Sequence, residues 1–158
     1  MMIRMIAVVF TLLAATSATA QERYEGYYYP PVSSTETYSR VIREAPQSNK
    51  VVRVSFVTQL TVAQLAAPES PRFVFFAKGG DAKHLNVIAL DDDVFSTLFR
   101  ARAVLAQLTS NMRNNEFFRQ QNLESVATFF DLLQFLDFET LVISDGETWA
   151  HQVNFTKN

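Results

Sequence analysis

The chain has 158 residues, a formal net charge of −2 and no cysteine. That length supports one domain with a single core, and the absence of thiols excludes disulfides, thiolate metal ligands and a cysteine nucleophile. A mildly acidic chain without a basic run is also a poor candidate for binding nucleic acid or anionic membranes.

The first twenty residues have the pattern of a secretory signal peptide. Arg4 is the only charge, Met5 to Ala15 is a short apolar run, and Ala18-Thr19-Ala20 matches the small-x-small pattern before a signal-peptidase site. The run is shorter than the roughly 20 apolar residues of a transmembrane helix. We therefore expect cleavage after Ala20, which would place the chain from Gln21 onward in the periplasm or outside the cell.

Residues 21–33 are predicted to form an extended arm. They show no apolar periodicity, and Pro30-Pro31 favours an extended backbone. Tyrosine gives a large contact area at low entropic cost, so the tyrosines of the arm are candidate binding residues. They are Tyr24, Tyr27, Tyr28 and Tyr29. The arm either presents them to a partner or packs on its own domain, and the sequence leaves both alternatives open.

The next elements are predicted as a helix, a strand and a second helix. Ser33 followed by Glu36 fits a capping box, which predicts a helix from Ser34 to about Glu44. Val51 to Leu60 alternates apolar and polar side chains over most of its length, which predicts a strand. Thr61 to Ala67 is predicted as a short helix, which ends before Pro68 and Pro71.

A β-hairpin is predicted in the middle of the chain. Arg72 to Lys78 and Leu85 to Leu90 are short runs rich in Phe, Val and Ile, and Gly79-Gly80-Asp81 lies between them. A glycine loop can cradle a phosphate when a helix follows and points its amides at the anion. Here a strand follows, so the sequence favours a hairpin tip.

The basic residues of this tip are candidate binding residues. Lys78, Lys83 and His84 would give the tip positive character, which is compatible with a small docking patch. The alternative is a solvated turn without a function.

Helices are predicted to follow the hairpin. Asp91-Asp92-Asp93 precedes a pattern of apolar residues three or four apart, which predicts a helix over about 93–112. The aspartates are interpreted as caps of its first turn, and no metal site is predicted from them. A further helical stretch is predicted from Asn114, and an apolar, buried helix from Asn122 or Ser125.

The chain ends in a second predicted hairpin. Asp145-Gly146 lies between two β-rich runs, which is typical of a two-residue turn. That turn would pair Val142 with Trp149 and Thr140 with His151. Trp149, His151 and the alternate residues after them would share one apolar face.

These elements together predict an α+β fold, with a mostly antiparallel sheet of about five strands and helices packed on it. The predicted organisation is a signal peptide over 1–20, the arm over 21–33 and a single domain over 34–158.

The two histidines offer the main opportunity for catalysis. His151 is expected on the apolar face, where a lone histidine is usually a core residue. Catalysis would need a carboxylate or hydroxyl within hydrogen-bond reach of it, and Asp145 is the acid named for that role. No cofactor motif is present.

Several segments resemble a family of small exported bacterial proteins. The resemblance runs through most of the mature chain, notably "YYYP", "FVTQLT", "PRFVFFAKG", "ALDDDVFSTLFRARAVLAQLTS" and "SDGETWAHQV". Some members carry the label molybdopterin-guanine dinucleotide biosynthesis protein A. That label implies nucleotide binding, for which "AKGGDAK" is the corresponding segment.

Three hypotheses about function follow. The first is a non-catalytic binding or assembly protein that meets an envelope protein through the arm and a sheet edge. The second is a small hydrolase that uses His151 with an acidic partner. The third is nucleotide binding at the glycine hairpin, as the family label implies. The sequence favours the first, because it contains an aromatic arm and because no set of catalytic residues can be recognised in it.

Overall fold

The computed structural model describes residues 29–39, 48–113 and 128–156. These ranges contain five strands and three helices, and the α+β class predicted from the sequence is confirmed. In chain order the elements are β1 Ser34–Ser39, α1 Lys50–Leu65, β2 Phe73–Lys78, β3 His84–Ala89, α2 Leu98–Arg113, α3 Phe129–Phe135, β4 Thr140–Ser144 and β5 Ala150–Thr156.

The five strands form one sheet in the order β1-β5-β4-β3-β2. β2 pairs with β3 and β4 with β5 in antiparallel fashion, whereas β3–β4 and β1–β5 are parallel. Parallel neighbours need a long connection. α2 and α3 lie between β3 and β4 in the chain, and most of the domain lies between β1 and β5.

The helix predicted over 34–44 is wrong for residues 34–39, which form strand β1. The capping-box pattern competes here with β-branched Thr35 and Thr37, which suit a strand. Pairing along the whole of β5 supplies β1 with a ladder of backbone hydrogen bonds. Residues 40–47 lie outside the described ranges.

The strand predicted over 51–60 is also wrong, because these residues belong to helix α1. Asn49 caps the helix, and its side chain accepts a hydrogen bond from the amide of Val52. Arg53 and Val57, four residues apart, are the buried positions of the helix. The spacing of the valines resembles the alternation of a strand, but the buried residues are four apart, as in a helix. The short helix predicted from residue 61 is the last part of α1.

The first predicted hairpin is confirmed, because β2 pairs with β3 in antiparallel register around the glycine turn. α2 begins at Leu98, later than predicted, and the Thr97 hydroxyl accepts a hydrogen bond from the amide of Arg100. The aspartates therefore do not cap it: Asp91 pairs with Arg72, and Asp93 pairs with Arg100. The helix predicted from Asn114 lies outside the described ranges, and the apolar helix begins at Phe129.

The predicted register of the last hairpin is wrong by three residues. Val142 pairs with Gln152 and Thr140 with Asn154, so the loop is longer than the predicted two residues. The cause is the carboxylate of Asp145, which accepts hydrogen bonds from three backbone amides of the loop. These hydrogen bonds stabilise a loop that is longer than a two-residue turn.

The sheet carries a large apolar cluster on one face and a small one on the other. All three helices contribute to the large cluster, together with alternate residues of the strands such as Leu85, Val87, Leu141 and Val153. The intervening positions point to the opposite face, where the second cluster lies. Its buried members are Tyr29, Ile88, Val142 and Ala150.

Candidate functional site

The parallel register of β1 and β5 brings three polar side chains together. Ser34 lies directly beside His151, and the Ser34 hydroxyl is hydrogen-bonded to the Nδ1 atom of the ring at 2.8 Å. Glu36, two residues along the same strand, places its Oε1 atom 3.4 Å from His151 Nε2. The arrangement is a serine, a histidine and a glutamate in line.

The histidine of this cluster is held firmly and is sealed from solvent. The His151 side chain is 3% exposed, and its ring stacks against Trp149 with 6.1 Å between ring centroids. The Nε2 atom makes no hydrogen bond with the described residues, and its contact with Glu36 is an ion pair only when the ring is protonated. Arg102 of α2 fixes the other carboxylate oxygen of Glu36 at 3.1 Å.

Asp145, the acid named from the sequence as a partner of His151, has a different role. Its carboxylate accepts hydrogen bonds from the amides of Glu147, Thr148 and Trp149 and from the Thr148 hydroxyl. Burial alone would raise the pKa of Asp145, but these hydrogen bonds outweigh it and hold the pKa below its ordinary value. The acid beside His151 is Glu36 instead.

The basic side chains of the glycine hairpin are engaged within the protein. Lys78 Nζ lies 5.4 Å from the centre of the Tyr29 ring, and His84 is hydrogen-bonded to the Thr140 hydroxyl at 2.9 Å. Lys83 donates a hydrogen bond to Glu139 at 2.8 Å, which raises the pKa of Lys83 and lowers that of Glu139. Of these three side chains, Lys83 has its charge balanced by carboxylates, with Glu139 at 2.8 Å and Asp137 at 3.5 Å.

The turn itself is fixed from below by a buried arginine. Arg53 is 3% exposed and donates hydrogen bonds to the Asp81 carbonyl oxygen. It also donates to the carbonyl of Leu136 at the end of α3. The glycine loop is thus anchored to helix α1 through a backbone carbonyl.

The end of the predicted arm packs on the domain. Tyr29 is buried against Ile88, Val142 and Ala150 on the sheet face opposite the helices. Residues 1–28 lie outside the described ranges, and they include the candidates Tyr24, Tyr27 and Tyr28. One of the four tyrosines therefore serves packing.

The sequence-based interpretation missed an exposed apolar stripe along α1. Four of the seven large apolar side chains that are exposed in the described ranges lie on this one helix. They are Val51, Val54, Val62 and Leu65. With exposed Thr58 at the centre, their spacing of three, four, four and three residues keeps them on one side of the helix. Reading 51–60 as a strand concealed this stripe, although the helical spacing was present in the sequence.

The stripe also lacks charge. Between Lys50 and Glu69 the only ionisable residue is Arg53, which is buried. The Thr58 hydroxyl donates to the carbonyl of Val54 at 2.9 Å, so even this polar group is satisfied within the helix. We call the five residues 51, 54, 58, 62 and 65 the α1 stripe.

Within the described ranges, no group of three or more acidic or histidine side chains is placed to hold a metal ion. None of the helices in those ranges has both the length and the apolar character needed to cross a bilayer. In comparisons with protein-family models, curated proteins and solved structures, nothing matches this chain.

Proposed function

We propose that this protein is a non-catalytic binding module that acts outside the cytoplasm. The observation that carries the proposal is the α1 stripe, a row of exposed apolar side chains on a helix that has no exposed charge between residues 51 and 65. Contiguous apolar surface of this kind marks interaction sites in soluble proteins. The matching partner presents an uncharged apolar surface of similar length.

Export supports this proposal from a separate direction. The pattern of residues 1–20 is that of a cleaved signal peptide, so the partner would be an envelope or secreted protein. The engagement of Lys83, Lys78 and His84 within the domain argues against nucleotide binding at the glycine hairpin.

Site-specific photo-crosslinking in the intact cell tests the binding function. A photoreactive residue at Val62, in the α1 stripe, should give a discrete protein adduct after illumination. The matched position is Glu147, which is exposed on the β4–β5 loop and should give none. Absence of an adduct at Val62, or equal labelling at both positions, would contradict the proposal.

A small hydrolase is the second candidate function, and the Ser34–His151 hydrogen bond favours it. Ser34 is exposed, so its oxygen could attack an acyl carbon while Nδ1 of His151 accepts the proton and Glu36 stabilises the charged ring. Burial of the His151 ring places this function second. After the attack, the ring must donate its proton to the leaving group, and the leaving group can approach the ring only from the side of Ser34.

Hydrolysis of an activated ester tests this second function. Ser34→Ala should abolish the activity, whereas Ser33→Ala, one residue away and also exposed, should retain it. Equal rates in the two variants would remove the hydrolase.

A further inference from the structure

We infer that the partner of the α1 stripe is a second copy of this chain, bound antiparallel across a twofold axis that passes by Thr58. The inference rests on the proposed binding function and names its partner. Three properties of the stripe support it.

The first property is the symmetry of the stripe. A twofold interface requires that residue i of one copy meets residue j of the other, and that j meets i in return. The stripe is symmetric about Thr58 in spacing and nearly symmetric in chemistry. Turned antiparallel, Val51 meets Leu65 of the second copy, and Val54 meets Val62.

The second property is the absence of exposed charge along the stripe. Two identical charged faces repel each other, because each charge meets its like. An uncharged face meets its own copy without that penalty, and α1 is such a face over residues 51–65, or about 22 Å.

The third property is the charge at the ends of the helix. Lys50 begins α1, where the helix dipole disfavours a cation, and no basic residue lies in the last turn. Glu69 is exposed beyond the opposite end. An antiparallel pair brings each Lys50 to the carboxyl end of the other helix and to Glu69, so both charges gain a complementary neighbour.

The test uses the mature, full-length protein and measures its mass in solution over a range of concentrations. The wild type should form a reversible dimer. Thr58→Glu places two carboxylates face to face at the axis and should raise the dissociation constant at least about tenfold. Gln59→Glu adds the same charge to the next, exposed residue off the stripe and should leave the dimer intact. Circular dichroism establishes that each variant is folded.

A charge exchange makes the test specific for the twofold arrangement. Thr58→Lys should also be monomeric, but an equimolar mixture with Thr58→Glu should restore a dimer that contains one copy of each. This rescue occurs only where residue 58 of one copy faces residue 58 of the other.

Three results would overturn the inference. One is a wild type that stays monomeric up to about 1 mM. Another is a dimer that Thr58→Glu leaves unchanged, since its interface would lie elsewhere. The last is a monomer that binds phosphatidylcholine vesicles through the stripe. If the crosslink at Val62 then captures a different protein, the binding function stands and only the second copy is lost.

Discussion

Arg53 holds the carbonyl oxygen of Asp81 with two nitrogens, Nε at 3.1 Å and Nη2 at 2.9 Å. Its third nitrogen, Nη1, donates to the carbonyl of Leu136 at 3.2 Å and lies 3.4 Å from the carboxylate of Asp137. One buried guanidinium therefore joins α1, the β2–β3 turn and the end of α3. The planar fork of arginine suits this geometry, because its donors point in fixed directions.

We expect Arg53→Ala to lower the free energy of unfolding by about 3 kcal/mol, because it leaves the carbonyls of Asp81 and Leu136 without this donor and removes one of the two cationic partners of Asp137. Arg53→Lys should recover little of the loss, since an ammonium cannot reproduce the fork. Urea denaturation measures both. The control is Arg72→Ala, which breaks the exposed ion pair with Asp91 and should cost about 0.5 kcal/mol or less. Equal losses for Arg53→Ala and Arg72→Ala would contradict this account.

The two glycines of the hairpin should differ sharply when replaced. Gly79 has φ of +87°, and an added Cβ would lie 2.9 Å from the His84 ring, whereas Gly80 has open space around it. We expect Gly79→Ala to destabilise the fold by about 1–2 kcal/mol, while Gly80→Ala is neutral or slightly stabilising. Thermal unfolding of the pair measures the difference. Equal melting temperatures would show that the turn does not need its first glycine.

The carboxylate of Asp145 should contribute to acid sensitivity. Its pKa in the folded chain lies below the ordinary value of 3.8, so its stabilisation is present above that pH and is lost as the pH falls through the folded value. Asp145→Asn should therefore destabilise the protein at pH 7, and the gap from the wild type should narrow toward pH 2.

Free energies of unfolding at several pH values test this expectation. Thr148→Ala, which removes only the hydroxyl donor, should give an intermediate result. A gap that stays constant with pH would mean that the loop does not depend on the charge of the carboxylate.

Cleavage of the proposed signal peptide should be visible in the mass of the mature protein. We expect intact protein from the extracytoplasmic fraction to begin at Gln21, because Ala20 ends the small-x-small pattern. Ala20→Arg should block cleavage and leave precursor that retains Met1. Soluble wild-type protein that begins at Met1 would remove the proposed location and would reopen the hypothesis of nucleotide binding.

The sequence predicted the helices and strands well where the apolar residues followed a single spacing. The glycine hairpin and the apolar helix of residues 129–135 have clear signals, and both are present. α1 was missed because a run of valines carries the propensity of a strand, while the tertiary contacts of Arg53 and Val57 select the helix. Propensity is a weak guide when packing opposes it.

The residues around His151 could not be assembled from sequence alone. Ser34 and His151 are 117 residues apart, and only the parallel pairing of β1 with β5 brings them into contact. Sequence spacing selects no acid for His151, and Asp145, the acid named for that role, is held in its own loop by a side-chain hydrogen-bond network. The apolar face of His151 was predicted correctly, since alternation along a strand does not depend on its partner.

The parallel pairing of β1 with β5 also affects how the chain acquires its structure. Among the described elements, β1 is synthesised first and its neighbour in the sheet, β5, is synthesised last. The edge of β1 that pairs with β5 therefore stays unoccupied until the rest of the described domain has been made. Until then, the backbone groups of residues 34–39 are open to pairing with another chain, which is a route to aggregation.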